Sequence, residues 1–369
     1  MKQIKAGLIG CGNISGIYFE NATKRFNGIL DLVACADLDL DRAKARAAQY
    51  GVGRAVTPDE LLSDPEIELV INLTIPGAHY SVCKAALEAG KHVYVEKPFA
   101  VERAESRELL ELAAAKGLRL GVAPDTFFGG GIQTCRKLID DGWIGEPVAV
   151  QANMLCHGHE SWHPAPEFYY KAGGGPMLDM GPYYLTALVN LIGPVRRVTG
   201  STRITFPERL ITSQPLNGQR ITVDVPTHIA GVIDFANGAV GTIVTSFDIW
   251  YANAPNIEIY GSEGSLAVPD PNGFGGPVRV RKRGSSEWEE VPLSFGYAQN
   301  CRGIGAADIA YAIQSGRKHR ANAELAYHVI DIMHGFQDAS ESGAHYVLPS
   351  TTERPAPLPT GLADGELDA

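Results

Sequence analysis

The first third of the chain alternates short apolar runs with longer amphipathic stretches. Residues 6–9, 30–36, 69–73, 91–95 and 118–122 are nearly continuous apolar or β-branched runs, the pattern of strands covered on both faces. Between them, residues 80–89 and 102–116 read as helices, and Gly90 marks a helix stop. Buried strands alternating with helices predict an α/β unit with a doubly wound parallel sheet. After residue 123 the pattern changes. A helix through residue 139 leads into strand-rich sequence from Glu146, with β-prone runs at 196–206, 257–260 and 278–283. Residues 227–235 and 238–247 flank Ala236-Asn237-Gly238, whose Asn-Gly pair predicts a hairpin. Helices at 306–315 and 324–339 complete an α+β unit on a large open, mostly antiparallel sheet. The expected division is 1–123, 124–349 and a proline-rich tail, 350–369, read as a loose surface segment.

Ligands of open parallel sheets sit beyond the strands' C-terminal ends, so the loops there carry the candidate chemistry. The first strand runs into Gly10-Cys11-Gly12-Asn13-Ile14-Ser15-Gly16. Its first two glycines suit a tight turn and close backbone approach to a pyrophosphate, and the N–H groups of the following helix favour an anion. Ser15 stands where a third glycine is usual, and such turns also occur without a ligand. The second strand ends in Asp37, 25 residues after Gly12. A carboxylate there can bond both ribose hydroxyls and repels a 2′-phosphate, favouring NAD over NADP; the alternative is a cap for the helix beginning near Asp41. The run Lys91-His92-Val93-Tyr94-Val95 ends abruptly in Glu96-Lys97-Pro98. A buried strand thus delivers Lys97 to the ligand side, with a proline that stiffens the next bond and can be cis.

Taken in order, Gly10-Cys11-Gly12-Asn13-Ile14, Ala36-Asp37, Thr74-Ile75-Pro76 with His79, Gly90-Lys91-His92-Val93 and Glu96-Lys97-Pro98 resemble the Gfo/Idh/MocA oxidoreductase family over the whole first unit. The resemblance continues into the second. It implies a nicotinamide dinucleotide held by Gly10, Gly12, Asn13, Ile14, Asp37, Thr74, Pro76, His79, Glu96 and Lys97, a sugar or polyol substrate, and a homodimer or homotetramer. It also implies an active-site aspartate after a triple glycine, which here is Asp179 in Gly173-Gly174-Gly175-Pro176-Met177-Leu178-Asp179. Three positions depart from the family pattern: Tyr183 stands at the family's histidine, Thr186 at its second aspartate, and Thr126 where an arginine often precedes Phe127. Asp179 also reads as a plain helix cap.

The densest chemistry outside these motifs is Cys156-His157-Gly158-His159-Glu160-Ser161-Trp162-His163, followed by Phe168-Tyr169-Tyr170. Aromatic faces pack on a sugar's C–H surface while imidazole and indole N–H groups bind its hydroxyls. The expected substrate side is therefore Lys97, Phe127, His157, His159, Trp162, His163, Asp179, Tyr183 and Tyr184. The same histidines also read as a zinc set or as a polar loop with satisfied rings; the expectation is no metal.

Composition narrows the picture. A net charge of −10, from 42 acidic against 32 basic residues, argues against a phosphate-backbone partner. Six scattered cysteines with no CxxC pair read as reduced thiols in a cytoplasm, and no apolar run is long enough for a signal peptide or a membrane span. The expectation is an NAD-dependent dehydrogenase acting on a secondary alcohol of a sugar, cyclitol or glycoside. Its catalytic residues are Lys97, Asp179 and Tyr183, with Lys97 acting as a base once its pKa is lowered towards neutrality. Two alternatives stand beside it: an NAD-dependent glycosidase working by transient oxidation, and a non-catalytic dinucleotide or sugar sensor.

Overall fold

The computed structural model describes residues 2–368. Six strands form the first sheet: β1 (Ile4–Ile9), β2 (Leu30–Ala36), β3 (Arg54–Val56), β4 (Leu69–Asn72), β5 (His92–Val95) and β6 (Leu120–Val122). They are all parallel, in the order β3-β2-β1-β4-β5-β6. The short β3 lacks an apolar run and was not legible in the sequence. Five helices connect the strands: α1 (Ser15–Glu20), α2 (Leu40–Tyr50), α3 (Pro58–Ser63), α4 (Pro76–Glu88) and α5 (Arg103–Lys116). Their ends carry ordinary local chemistry. The Asp39 carboxylate caps α2, Thr57 and Glu60 form a reciprocal box at the start of α3, and Gly51 and Gly117 end α2 and α5 with positive φ. Pro76, at the first helical position, starts α4 four residues before the expected 80. The strand order reverses between β1 and β4, so the crevice for a ligand opens beyond their C-terminal ends.

The second unit contains α6 (Gly130–Asp140), β7 (Pro147–Leu155), α7 (Gly175–Leu191), β8 (Val195–Arg203), β9 (Glu208–Leu210), β10 (Arg220–Thr222), β11 (His228–Phe235), β12 (Val240–Ser246), β13 (Ile257–Gly261), β14 (Gly264–Val268), β15 (Val278–Lys282) and β16 (Glu289–Val291). They are followed by α8 (Ile304–Ser315), α9 (Ala323–Ser342) and β17 (Tyr346–Val347). Nine of these strands form one sheet in the order β16-β15-β14-β13-β7-β12-β11-β8-β17, antiparallel except for the β7–β12 pair. The predicted hairpin is present, with Gly238 at φ +96. Helices α6, α7 and α9 pack on the sheet, burying Ile229, Ile233, Ile243 and Ile259.

The second unit packs against the first: α8 lies on β5 and β6, and Val122 N–H donates to the Ala321 carbonyl at 2.9 Å. One expectation needs correction, because the tail is not loose. Leu358 and Leu367 are buried, Arg136 and Arg320 donate to the carbonyls of Pro355, Ala356 and Pro357, and Arg320 pairs with Asp368 at 2.7 Å. Farther along, Tyr297 donates its hydroxyl to the Glu366 carbonyl at 2.5 Å and Arg25 meets Asp364 at 3.1 Å. The tail therefore straps the second unit to the start of the first. Among the described residues no helix is long and apolar enough to cross a membrane.

Candidate active site

The glycine turn after β1 is built as a cradle. Gly10 has φ +101 and passes so close to Leu73 that a Cβ would lie 2.6 Å from its backbone, whereas a Cβ on Gly12 would meet nothing within 4 Å. The first therefore has to be glycine for packing. The second leaves open space of the kind a pyrophosphate needs. No side chain caps the start of α1, although the Ser15 N–H already donates to the Gly12 carbonyl at 3.3 Å. Asp37 closes the turn: its Oδ2 accepts the Cys11 N–H at 2.8 Å and its Oδ1 accepts from Asp39 N–H at 2.9 Å, with Arg42 at 3.4 Å. The helix cap is Asp39, not Asp37, which removes the bland alternative for Asp37. Two residues that sequence reading passed over flank the crevice: Leu38 is 97% exposed and Ile75 is 74% exposed. Leu38 lies two residues beyond β2 and Ile75 three beyond β4, and their apolar faces suit the two sides of an adenine. Their signal was positional only: Leu38 follows Asp37, and Ile75 stands inside Thr74-Ile75-Pro76.

His79 is enclosed. Its Nδ1 lies 2.7 Å from the Pro98 carbonyl and its Nε2 3.0 Å from that of Thr74, so it braces two loops and has no ring nitrogen left for a cofactor. Burial pushes its pKa down against the pull of the two carbonyls. Thr74 bonds Asn72 through both its N–H and its hydroxyl, and Pro76 opens α4. Glu96 is buried and doubly occupied, accepting the Tyr18 hydroxyl at 2.6 Å and the Lys97 N–H at 2.9 Å. The Lys97–Pro98 peptide is cis.

From this platform Lys97 reaches the second unit. Its Nζ donates to the Asp179 carbonyl at 2.8 Å and to Asp179 Oδ1 at 3.0 Å, and lies 5.3 Å from the centre of the Tyr183 ring. Asp179 does not stand at a helix start but in the second turn of α7, which begins at Gly175. Its other oxygen, Oδ2, lies 3.4 Å from Nε2 of His159. That contact is too loosely aligned for a hydrogen bond, and His159 Nε2 is buried with no partner in its place. A carboxylate therefore sits between an ammonium and an imidazole. Burial would raise the Asp179 carboxyl, but Lys97 and His159 overcome it and hold the group at about 2.

Lys97 departs from expectation. Burial, the largest single influence, does lower its pKa, but Tyr183, Asp179 and Glu96 together outweigh it and the net shift is upward. With two carboxylates behind it, the lysine is an ammonium at neutral pH rather than a ready base. Tyr183 is also buried, and burial raises its phenol against the opposing pull of Lys97 and Arg302. A phenol raised further above its ordinary value is no base at neutral pH.

The histidine segment follows β7 as a loop, not as a strand with alternating faces. His159 is wedged against Tyr169, Phe247 and Trp162 at ring distances of 4.1, 4.6 and 5.2 Å. Behind it, Glu160 accepts the Tyr170 hydroxyl at 2.5 Å and pairs at 3.0 Å with Arg209, which also pairs with Asp248. Neither Arg209 nor Asp248 carries a local sequence signal, since each lies far from Glu160 along the chain. His163 Nδ1 accepts the Ala165 N–H at 3.1 Å and packs on Phe168 and Tyr169. Among the described residues, no three His, Cys, Asp or Glu side chains converge to hold a metal ion. Phe127 and Tyr184 are both buried. Phe127 is enclosed against Phe128, and Tyr184 is buried near Cys156 and Asp270.

Two family descriptions fit the chain: the "Oxidoreductase family, NAD-binding Rossmann fold" over residues 4–123 and the "GFO/IDH/MocA C-terminal domain" over 132–267. An uncharacterized oxidoreductase of Schizosaccharomyces pombe is 28% identical over 61% of this chain and 64% of its own length, so the match spans just under two thirds of that relative. A myo-inositol 2-dehydrogenase of Thermotoga maritima is 26% identical, covering 71% of this chain and 74% of its own. The structure of a levoglucosan dehydrogenase in complex with NADH and levoglucosan superposes with a TM-score of 0.80 at 22% identity, covering 95% of this chain and all of that one, a likeness of fold.

Proposed function

The chain belongs to the Gfo/Idh/MocA oxidoreductase family, with an NAD-binding Rossmann domain, and from that premise we propose that it moves a hydride between nicotinamide and a secondary hydroxyl or keto group of a sugar, cyclitol or glycoside. The observation that carries the reading is the Lys97–Asp179–His159 array, set beside the switch point of a sheet whose glycine turn and Asp37 fit a dinucleotide. Relatives named as inositol, anhydrofructose and dihydrodiol dehydrogenases or reductases support the substrate class. None of these is named a glycosidase, which leaves that alternative without support.

The cofactor, when bound, supplies the hydride chemistry. The residues of this chain supply position and proton. Lys97 Nζ bonds the reacting oxygen, and its charge favours the alkoxide that forms as hydride leaves carbon. Asp179 holds Lys97 by one oxygen and sets the other 3.4 Å from His159 Nε2, which has no hydrogen-bond partner. His159 takes the proton in oxidation and returns it in reduction. It fills the role that the sequence assigned by position to Tyr183, whose ring instead stacks under the ammonium. Asp37 favours NAD over NADP, because a 2′-phosphate would face its carboxylate. Five of the six cysteines are buried and all are free, which suits a reducing compartment such as the cytoplasm. The outer face of the nine-stranded sheet, with Val232 and Val240 exposed, is the surface we assign to a second copy of the chain.

A panel of sugars, cyclitols and glycosides incubated with NAD+ or NADP+, read at the absorbance band of the reduced nicotinamide, tests the proposal. Growth of that band with at least one carbohydrate is expected, and faster growth with NAD+. Tight dinucleotide binding with no turnover on any member would favour the sensor instead.

A further inference from the structure

Beside the Asp179–His159 pair lies an aromatic surface that the hydride reaction does not use. The imidazole of His157 stacks on the indole of Trp250, ring centres 3.5 Å apart and ring planes nearly parallel at 14°. Phe206 closes the edge of the same imidazole at 6.2 Å, and the Arg209 guanidinium covers Phe206 from behind at 5.0 Å. The backbone holds the pair in place: Cys156 N–H donates to the Ser246 carbonyl at 3.0 Å and Ile249 N–H to the Cys156 carbonyl at 3.1 Å. One face of Trp250 is thus covered by His157, and the residue as a whole is 69% exposed. His157 Nδ1 is buried with no partner.

An indole stacked on one side and wet on the other is a platform for a ring with an apolar face. Its place says which ring. His157 is two residues from His159, a span of at most about 7 Å of chain, and Phe247 touches His159 while leading along the chain to Trp250. Trp162 packs edge-on against the same His159 at 5.2 Å and is exposed as well. A substrate with one ring against Lys97 and His159 would therefore lay its neighbouring ring on this surface, one sugar unit away. Trp250 is followed directly by Tyr251, which is 92% exposed and adds a second aromatic side chain at the same place in the chain.

We propose that His157, Trp250 and Trp162 form an outer subsite for a second ring, so that the substrate is a glycoside or disaccharide oxidised on one ring rather than a free monosaccharide or cyclitol. This rests on the oxidoreductase reading for the oxidised ring, but not for the platform itself.

The test uses the full chain with NAD+ bound and two series of probes: glucose and galactose, each as the free sugar, the methyl β-glycoside and the phenyl β-glycoside. Calorimetric titration reads binding, and the reduced-nicotinamide band reads turnover. One aromatic stack is worth about 1 kcal/mol, so the phenyl glycoside should bind roughly fivefold tighter than the methyl glycoside in at least one series. Trp250→Ala should erase that ratio with an unchanged melting temperature, and Trp250→Phe should keep most of it. The proposal is overturned if the parent shows no preference for the phenyl ring, if it binds neither series, or if Trp250→Ala keeps the parent ratio. Loss of a dimer in Trp250→Ala with the ratio intact would assign the patch to a second copy of the chain. A phenyl preference in binding with no turnover on any probe would keep the subsite and sink the oxidoreductase reading.

Discussion

Asp179→Asn preserves shape and removes one charge from between Lys97 and His159, and its cost follows from the geometry. The Asp179 carboxyl is held at about 2 instead of its ordinary 3.8, although burial alone would raise it. At about 1.4 kcal/mol per pH unit, the ionised form contributes roughly 2 to 2.5 kcal/mol to folding. Because the native value lies below the unfolded one, this contribution is complete above about pH 5 and is lost as pH falls through 2, with about half left at pH 3. Urea titrations of parent and variant, followed by tryptophan fluorescence at several pH values, read it directly. The parent should exceed the variant by roughly 2 kcal/mol near neutrality, and the gap should shrink to about half by pH 3. A gap that does not change with pH, or a variant as stable as the parent near neutrality, would refute the claim that Asp179 is an ionised carboxylate held between Lys97 and His159.

Further outcomes follow from the same geometry. His159→Asn should lower kcat/KM by about 100-fold or more, whereas Tyr183→Phe should stay within about tenfold; steady-state kinetics on a carbohydrate substrate decides between them, and the reverse order would restore the tyrosine. Asp37→Ser should raise the ratio of NADP+ to NAD+ efficiency by at least about tenfold, since it removes the group that faces a 2′-phosphate. The same change should not alter the ratio if Asp37 serves only to close its own turn. Deleting residues 351–369 should lower the melting temperature, because Arg136 and Arg320 would lose carbonyl and carboxylate partners while staying buried. An unchanged melt would return the tail to the loose segment its composition resembles.

The parallel sheet was legible because strands buried on both faces leave continuous apolar runs, and its ligand loops because their spacing after each strand is fixed. The site was legible only where chemistry and motif coincide, at the glycine turn, Asp37, Lys97 and Asp179. Its pairing was not. His159 and Asp179 come from different segments, and Gly158, with φ +80, turns the loop that aims the imidazole. Tyr183 and Tyr184 were both placed on the substrate side, yet adjacent helical residues point about 100° apart, so only one can lie under Lys97. The direction of the Lys97 shift needed the count of carboxylates around it, which no single motif contains. The tail misled because its anchors are backbone carbonyls, and every residue has one. Only Leu358 and Leu367 hinted otherwise.

Lys97 is where the dinucleotide cradle and the Asp179–His159 pair meet, so Lys97→Met tests the account most directly. NAD+ binding by calorimetry and growth of the reduced-nicotinamide band should be measured side by side in parent and variant, on whichever carbohydrate the parent oxidises. The account predicts NAD+ affinity within a few-fold of the parent and turnover lowered by at least about 100-fold. Turnover at the parent's rate in Lys97→Met would contradict it.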